Sequence, residues 1–151
     1  MEIIMETKRF KPKLDKLFWL LMIPTNVLCV GVLIAPAIAS PQTLFITFPI
    51  LLFVNYFFFS SLFGYVELRE TELFIKYGFI LKKTIPYAKI RSAEKERKFY
   101  CESMMALKNS LEHVNIKYNT YDVTTVSVED NDAFIAELYI RTAAGKRLQA
   151  L

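Results

Sequence analysis

Lys82 to Lys98 is the stretch richest in groups that could do chemistry: Lys82, Lys83, Lys89, Arg91, Lys95, Arg97 and Lys98 stand against only Glu94 and Glu96. Its net charge of +5 exceeds the +4 of the whole 151-residue chain. If residues 89–97 are extended, side-chain alternation puts Lys89, Arg91, Lys95 and Arg97 on one face with Ala93 between them. That stripe would be about 26 Å long at roughly 3.3 Å per residue. It suits either plain solvation or contact with anionic lipid headgroups, where each cation close to the leaflet contributes about 1 kcal/mol. Nucleic acid is a poorer ligand, because no recognition motif accompanies the cations and Glu129, Asp130 and Asp132 oppose it.

Catalytic chemistry has little material. His113 is the only histidine, so a Ser/His/Asp triad or a His-based metal site would hang on one residue with no local signature. Cys29 and Cys101 lie apart without CxxC spacing, which argues against a disulfide framework. Four glycines leave no phosphate-cradling loop, and neither GxGxxG nor HExxH occurs. Glu129 and Asp130 read as the acidic start of a helix rather than as a working carboxylate pair. The expectation is a non-catalytic protein with no cofactor and no metal.

The elements that must position these residues begin with an apolar block. The chain is 54% hydrophobic and 15% aromatic, with a mean hydropathy of +0.29. Leu17 to Val66 is a run of 50 residues without Asp, Glu, Lys or Arg, far beyond the roughly 20 that one membrane-crossing helix needs. Disordered, collagen-like and two-domain enzyme classes are thereby excluded. Ser40, Pro41 and Gln42 divide the block into two antiparallel spans, 17–39 and 43–65. A second span directly after the first argues against a cleaved signal peptide.

The arm 1–16 carries Lys8, Arg9, Lys11, Lys13 and Lys16, the turn has no basic residue, and the tail holds the other fourteen. The positive-inside rule then predicts a multi-pass cell-membrane protein with both termini cytoplasmic. Asn26 and Asn55 fall 15 residues before and 14 after Pro41. In regular helices both amides would sit about 20 Å from the turn and could bond across the hairpin. Such a pair reads as structural glue worth roughly 0.6–2 kcal/mol, with recognition as the alternative. Tyr56 to Phe59, four consecutive aromatics, are explained by packing or by a docking surface within the bilayer.

Beyond Tyr65 the pattern becomes short β-rich runs between turn signals. Strands are predicted at Val66 to Arg69, Leu73 to Tyr77, Ile80 to Ile85, Lys89 to Lys95, Val114 to Tyr118 and Val123 to Ser127. Phe99 to His113 has no clear assignment. An amphipathic helix is expected from Val128 to Arg141, capped by Ser127, with Phe134, Ile135 and Leu138 as its apolar stripe. The cytoplasmic domain then covers 66–141, and 142–151 reads as a flexible C-terminus.

Residues 85–92, Ile-Pro-Tyr-Ala-Lys-Ile-Arg-Ser, are followed by Ile116-Lys117-Tyr118 and by Ser127-Val128-Glu129-Asp130 leading into Phe134-Ile135-Ala136-Glu137-Leu138. This series resembles the bacterial pleckstrin-homology-like family, a former domain of unknown function carried behind one or two membrane spans. The resemblance covers about Val66 to Leu138 and supplies no catalytic residues. It implies a membrane-anchored α+β fold: a two-helix transmembrane hairpin, then a small PH-like, mostly antiparallel β domain closed by a C-terminal amphipathic helix. With the hairpin included, the chain is similar to membrane immunity proteins of bacteriocin producers. That likeness implies self-protection at the membrane, with membrane lipids and the bacteriocin or its membrane target as partners. A general adaptor binding a protein partner or anionic lipid is the alternative.

Overall fold

A computed structural model describes residues 6–149 of the chain. Two long helices come first among its larger elements: α1 (Lys16–Ala39) and α2 (Leu44–Ser60), joined through a 3-10 turn at Pro41–Thr43. The 3-10 turns on either side of α2 extend its apolar stretch to Pro41–Phe63, and both segments are long and apolar enough to cross a membrane. Among the described residues almost nothing covers them: Leu20, Phe45 and Ile38 are 68%, 87% and 80% exposed. Continuous apolar surface of this kind requires an apolar surrounding, so the pair is compatible with membrane association.

The hairpin is an insertion within the domain and not a separate N-terminal anchor. The arm contributes β1 (Lys8–Phe10), which pairs antiparallel with β2 (Tyr65–Leu68) in the register Lys8↔Leu68 and Phe10↔Val66. The boundaries 1–16 and 66–141 are corrected accordingly, since the arm is an edge strand of the domain. Physical reasons for the docking are local. Phe10 meets Phe134 edge-on at 5.3 Å, while the Arg9 guanidinium lies 4.1 Å from the Tyr65 ring and reaches Glu67 at 3.1 Å. Past β1 the backbone stays attached, with Lys13 N–H donating to the Ser127 carbonyl and Asp15 N–H to that of Asn109.

β1 and β2 continue into β3 (Glu72–Lys76) and β4 (Lys82–Pro86) as one antiparallel sheet. The second sheet has the order β5-β7-β8-β6, from β5 (Ile90–Arg97), β6 (Ala106–Leu107), β7 (Glu112–Tyr118) and β8 (Asp122–Val126). Among the described residues, only β6 runs parallel to its neighbour, β8. The unassigned stretch 99–113 therefore holds β6 and the start of β7. Val66, Leu68, Leu73 and Ile75 from one sheet meet Val114, Ile116 and Val126 from the other in a single core.

Helix α3 (Asn131–Gln149) closes that core with Phe134 and Leu138, both buried, and Ile135 against their edge. Its start differs from the expected one. The Asp130 carboxylate accepts from Ala133 N–H at 2.9 Å and acts as the cap, whereas the Ser127 hydroxyl donates to the Glu112 carbonyl at 2.7 Å. Ser127 is drawn away because β8 ends beside β7, where that carbonyl waits. The helix also continues past Arg141, so residues 142–149 of the expected flexible C-terminus are helical; 150 and 151 lie outside the described residues. Arg141 ties the helix to the sheet and the arm, since its guanidinium donates to the carbonyls of Leu68, Arg69 and Glu6 and to Glu137.

Candidate functional site

The four cations of the predicted stripe do not form one face. Lys89 lies in a 3-10 turn, Tyr87–Lys89, before β5 begins. A bulge then interrupts the pairing between Ile90↔Tyr118 and Ser92↔Lys117, leaving Arg91 as the extra residue. A bulge shifts the alternation by one position, so Arg91 leaves the face shared by Ala93, Lys95 and Arg97. Its guanidinium donates to the Thr120 carbonyl at 2.7 Å.

Lys95 is held by Asp132 of α3 at 2.9 Å, a hydrogen bond that raises its pKa above the ordinary lysine value. Arg97 pairs in register with Glu112, which in turn accepts from Lys13 at 2.9 Å. The opposite face of β5 is neutralised too: Lys117 binds Glu94 and Lys98 binds Glu96. Of the seven cations in 82–98, Lys95 and Lys98 are thus held in ion pairs and Arg91 by a backbone carbonyl. Of the four, the Arg97 end of β5 approaches the foot of α1, because Lys13 lies just ahead of Asp15 and Lys16.

Asn26 and Asn55 are brought together. Asn26 Nδ2 donates to Asn55 Oδ1 at 3.2 Å, and Asn55 Nδ2 donates back to the Leu51 carbonyl at 2.8 Å. Both side chains are half-buried. Their pairing satisfies polar groups that hydrocarbon would penalise. Asn26 also borders a cavity of about 140 Å³ whose walls include Trp19, Met22, Ile23, Phe58 and Phe59. A second cavity of similar size, about 140 Å³, lies where the hairpin meets the domain, between Leu17, Phe18 and Leu21 of α1 and Phe99 and Lys108.

The remaining reactive side chains are sequestered or isolated. His113 is fully buried with Nδ1 3.0 Å from the Leu111 carbonyl. Cys29 lies in α1 and Cys101 in the exposed loop after β5, and both are free thiols. Among the described residues, no group of three or more His, Cys, Asp or Glu side chains is arranged to hold a metal.

The junction between hairpin and domain carries no chemical motif in the sequence, yet specific contacts fix it. The Asp15 carboxylate accepts from the Ser110 hydroxyl, and Asn109 Nδ2 donates to the Ser61 carbonyl at 3.1 Å. A Cβ on Gly64 would lie 2.8 Å from the Lys76 carbonyl oxygen and would run into Leu107 Cδ1. Only glycine allows the chain leaving α2 to enter β2 at that distance. Gly64 and the pair Asn109-Ser110 are the residues that sequence reasoning missed, because their role depends on contacts from remote segments.

A profile for the bacterial PH domain matches residues 64–141, a little over half of the chain. The chain belongs to the bacterial PH domain family. No curated protein and no solved structure matches it. The matched segment starts at Gly64, so it spans β2 to the first part of α3 and leaves β1 and the hairpin outside.

Proposed function

We propose that the protein is a membrane immunity protein that protects its producer against the glycosylated bacteriocin sublancin. It acts without catalysis, by masking the peptide's membrane target or by engaging the peptide. The reading extends the sequence likeness, hairpin included, to membrane immunity proteins of bacteriocin producers. The observation that carries the reading is the insertion of the apolar hairpin between the paired strands β1 and β2. Both feet of the hairpin are fixed to one domain, so a hairpin that spans the membrane has both feet on the same side. The five basic residues of the arm and the fourteen of the tail support a cytoplasmic side for both feet.

Stoichiometric action is supported by the burial of His113, which leaves the one histidine of the chain without access to a substrate. The test is to titrate expression of the full chain in sublancin-sensitive cells and follow the peptide by mass spectrometry. Protection that scales with the amount of protein while the peptide is recovered intact is expected. Degraded or modified sublancin in the presence of purified protein would contradict the proposal.

A second reading, a membrane-anchored PH-like adaptor for anionic lipid or a protein partner, is favoured by the exposure of Lys89, Arg91, Lys95 and Arg97 along the domain's flank. It separates from the first because it requires no bacteriocin. Neutralising those four cations removes partner capture under the adaptor reading. Under the immunity reading, protection is retained if the hairpin junction rather than the flank makes the decisive contact.

A further inference from the structure

We infer that two loops of the PH domain, residues 78–81 and 98–105, are set into the anionic phospholipid leaflet on either side of the hairpin, so that the domain is partly sunk in the cytoplasmic face of the bilayer. This rests on the reading of the hairpin as membrane-spanning. The first loop, between β3 and β4, is held against α2. Phe79 packs on Tyr56 at 5.4 Å and on Phe63 at 4.8 Å between ring centroids. Its N–H donates to the Ser60 hydroxyl at 3.2 Å. A Cβ on Gly78 would run into that hydroxyl oxygen and lie 3.1 Å from the Ser60 carbonyl oxygen, so a side chain here would displace the contact. Tyr56 belongs to the last two turns of α2, which places Phe79 beside the helix rather than below it.

The second loop does the same on the other side. Phe99 shares a cavity wall with Leu17, Phe18 and Leu21, the first two turns of α1. Lys108 Nζ donates to the carbonyls of Lys98 and Tyr100 at 2.6 and 2.7 Å and fixes the loop's base. With these anchors in place, both loops still present apolar side chains outward: Ile80 is 72% exposed, Leu81 58%, Phe99 77% and Met104 is fully exposed.

Such side chains beside the ends of an apolar hairpin extend its surface continuously, and a bilayer is the one occupant that already surrounds that hairpin. Cations stand where the headgroups would be. Lys82 follows Leu81 on the exposed side of β4, and Lys98, paired with Glu96, and Lys108, bound to two carbonyls, flank the second loop. Its acid, Glu102, is drawn back by Lys98 at 3.4 Å. Apolar tips backed by lysines match the order acyl chain, then anionic headgroup.

The test uses the full chain in phosphatidylglycerol–phosphatidylethanolamine vesicles. Trp19, the one native tryptophan, is changed to Phe, and single tryptophans are introduced as Ile80→Trp, Phe99→Trp, Phe45→Trp and Thr71→Trp. Phe45 reports on the hairpin, and exposed Thr71, in the turn at the other end of β3 from Gly78, reports on the distal domain surface. Emission is read with lipids brominated on the upper acyl carbons. Quenching of Ile80→Trp and Phe99→Trp comparable to Phe45→Trp, with Thr71→Trp unquenched, is the expected result. Quenching of Phe45→Trp alone overturns the inference and leaves the hairpin reading standing. Absence of quenching at Phe45→Trp overturns both.

Discussion

Asn26 and Asn55 were legible as a pair from counting alone, because two regular helices about one turn give residues at equal distance equal depth. The observed 3.2 Å contact gives that pair a measurable consequence. Asn26→Leu leaves Asn55 Nδ2 its Leu51 partner but removes the donor to Oδ1, and hairpin stability in detergent should fall by about 1 kcal/mol. The unfolding midpoint in denaturing detergent checks this. The basic stripe was not equally legible. Its period-two geometry fails at Arg91, where the bulge carries no glycine to announce it.

Glu67 is a second residue whose role emerged only from the arm. Burial acts to raise its pKa, but hydrogen bonds from Arg69 and Arg9, each at 3.1 Å, outweigh this and hold it below the ordinary glutamate value of 4.5. The folded state therefore favours the carboxylate. Stability from this group is present above pH 4.5 and is lost as pH falls through its lowered folded value. Glu67→Gln should flatten the acid limb of the stability–pH curve and lower stability near neutrality. An acid limb of unchanged steepness would show that other carboxylates set it.

At the scale of elements, strands β2 to β5, β7 and β8 were readable from alternation and turn residues, and α3 from its apolar stripe. β1 was not, since Lys8-Arg9-Phe10 has neither the length nor the pattern of a strand and is recruited by the open edge of β2. β6 escaped for a similar reason: two residues, Ala106 and Leu107, become a strand only because β8 lies alongside. The helix cap was misplaced by three residues, from Ser127 to Asp130, because both are capping types and the local sequence does not say which hydroxyl or carboxylate the sheet will claim. Asp130→Ala should cost about 1 kcal/mol of domain stability, measured by thermal or chemical unfolding. Ser127→Ala should leave the start of α3 in place, which amide exchange at Ala133 and Phe134 would report.

Across the whole molecule, the order strand, hairpin, strand turns an anchor and a domain into one body. Gly64, Asn109 and Asp15 lock the feet of α1 and α2 to the sheets, so forces on the hairpin pass to the PH fold and the reverse. Under the proposed function, such coupling holds a surface of the domain at a set depth against the membrane. It also explains why the family profile, beginning at Gly64, sees only the part of the domain that follows the insertion. The central claim, protection against sublancin by this membrane-held module, is tested most directly by the peptide's inhibitory concentration on a sensitive strain. Cells making the full chain are compared with cells carrying empty vector, with membrane localisation verified. A large increase is the predicted result, and an unchanged inhibitory concentration with the protein present in the membrane would contradict it.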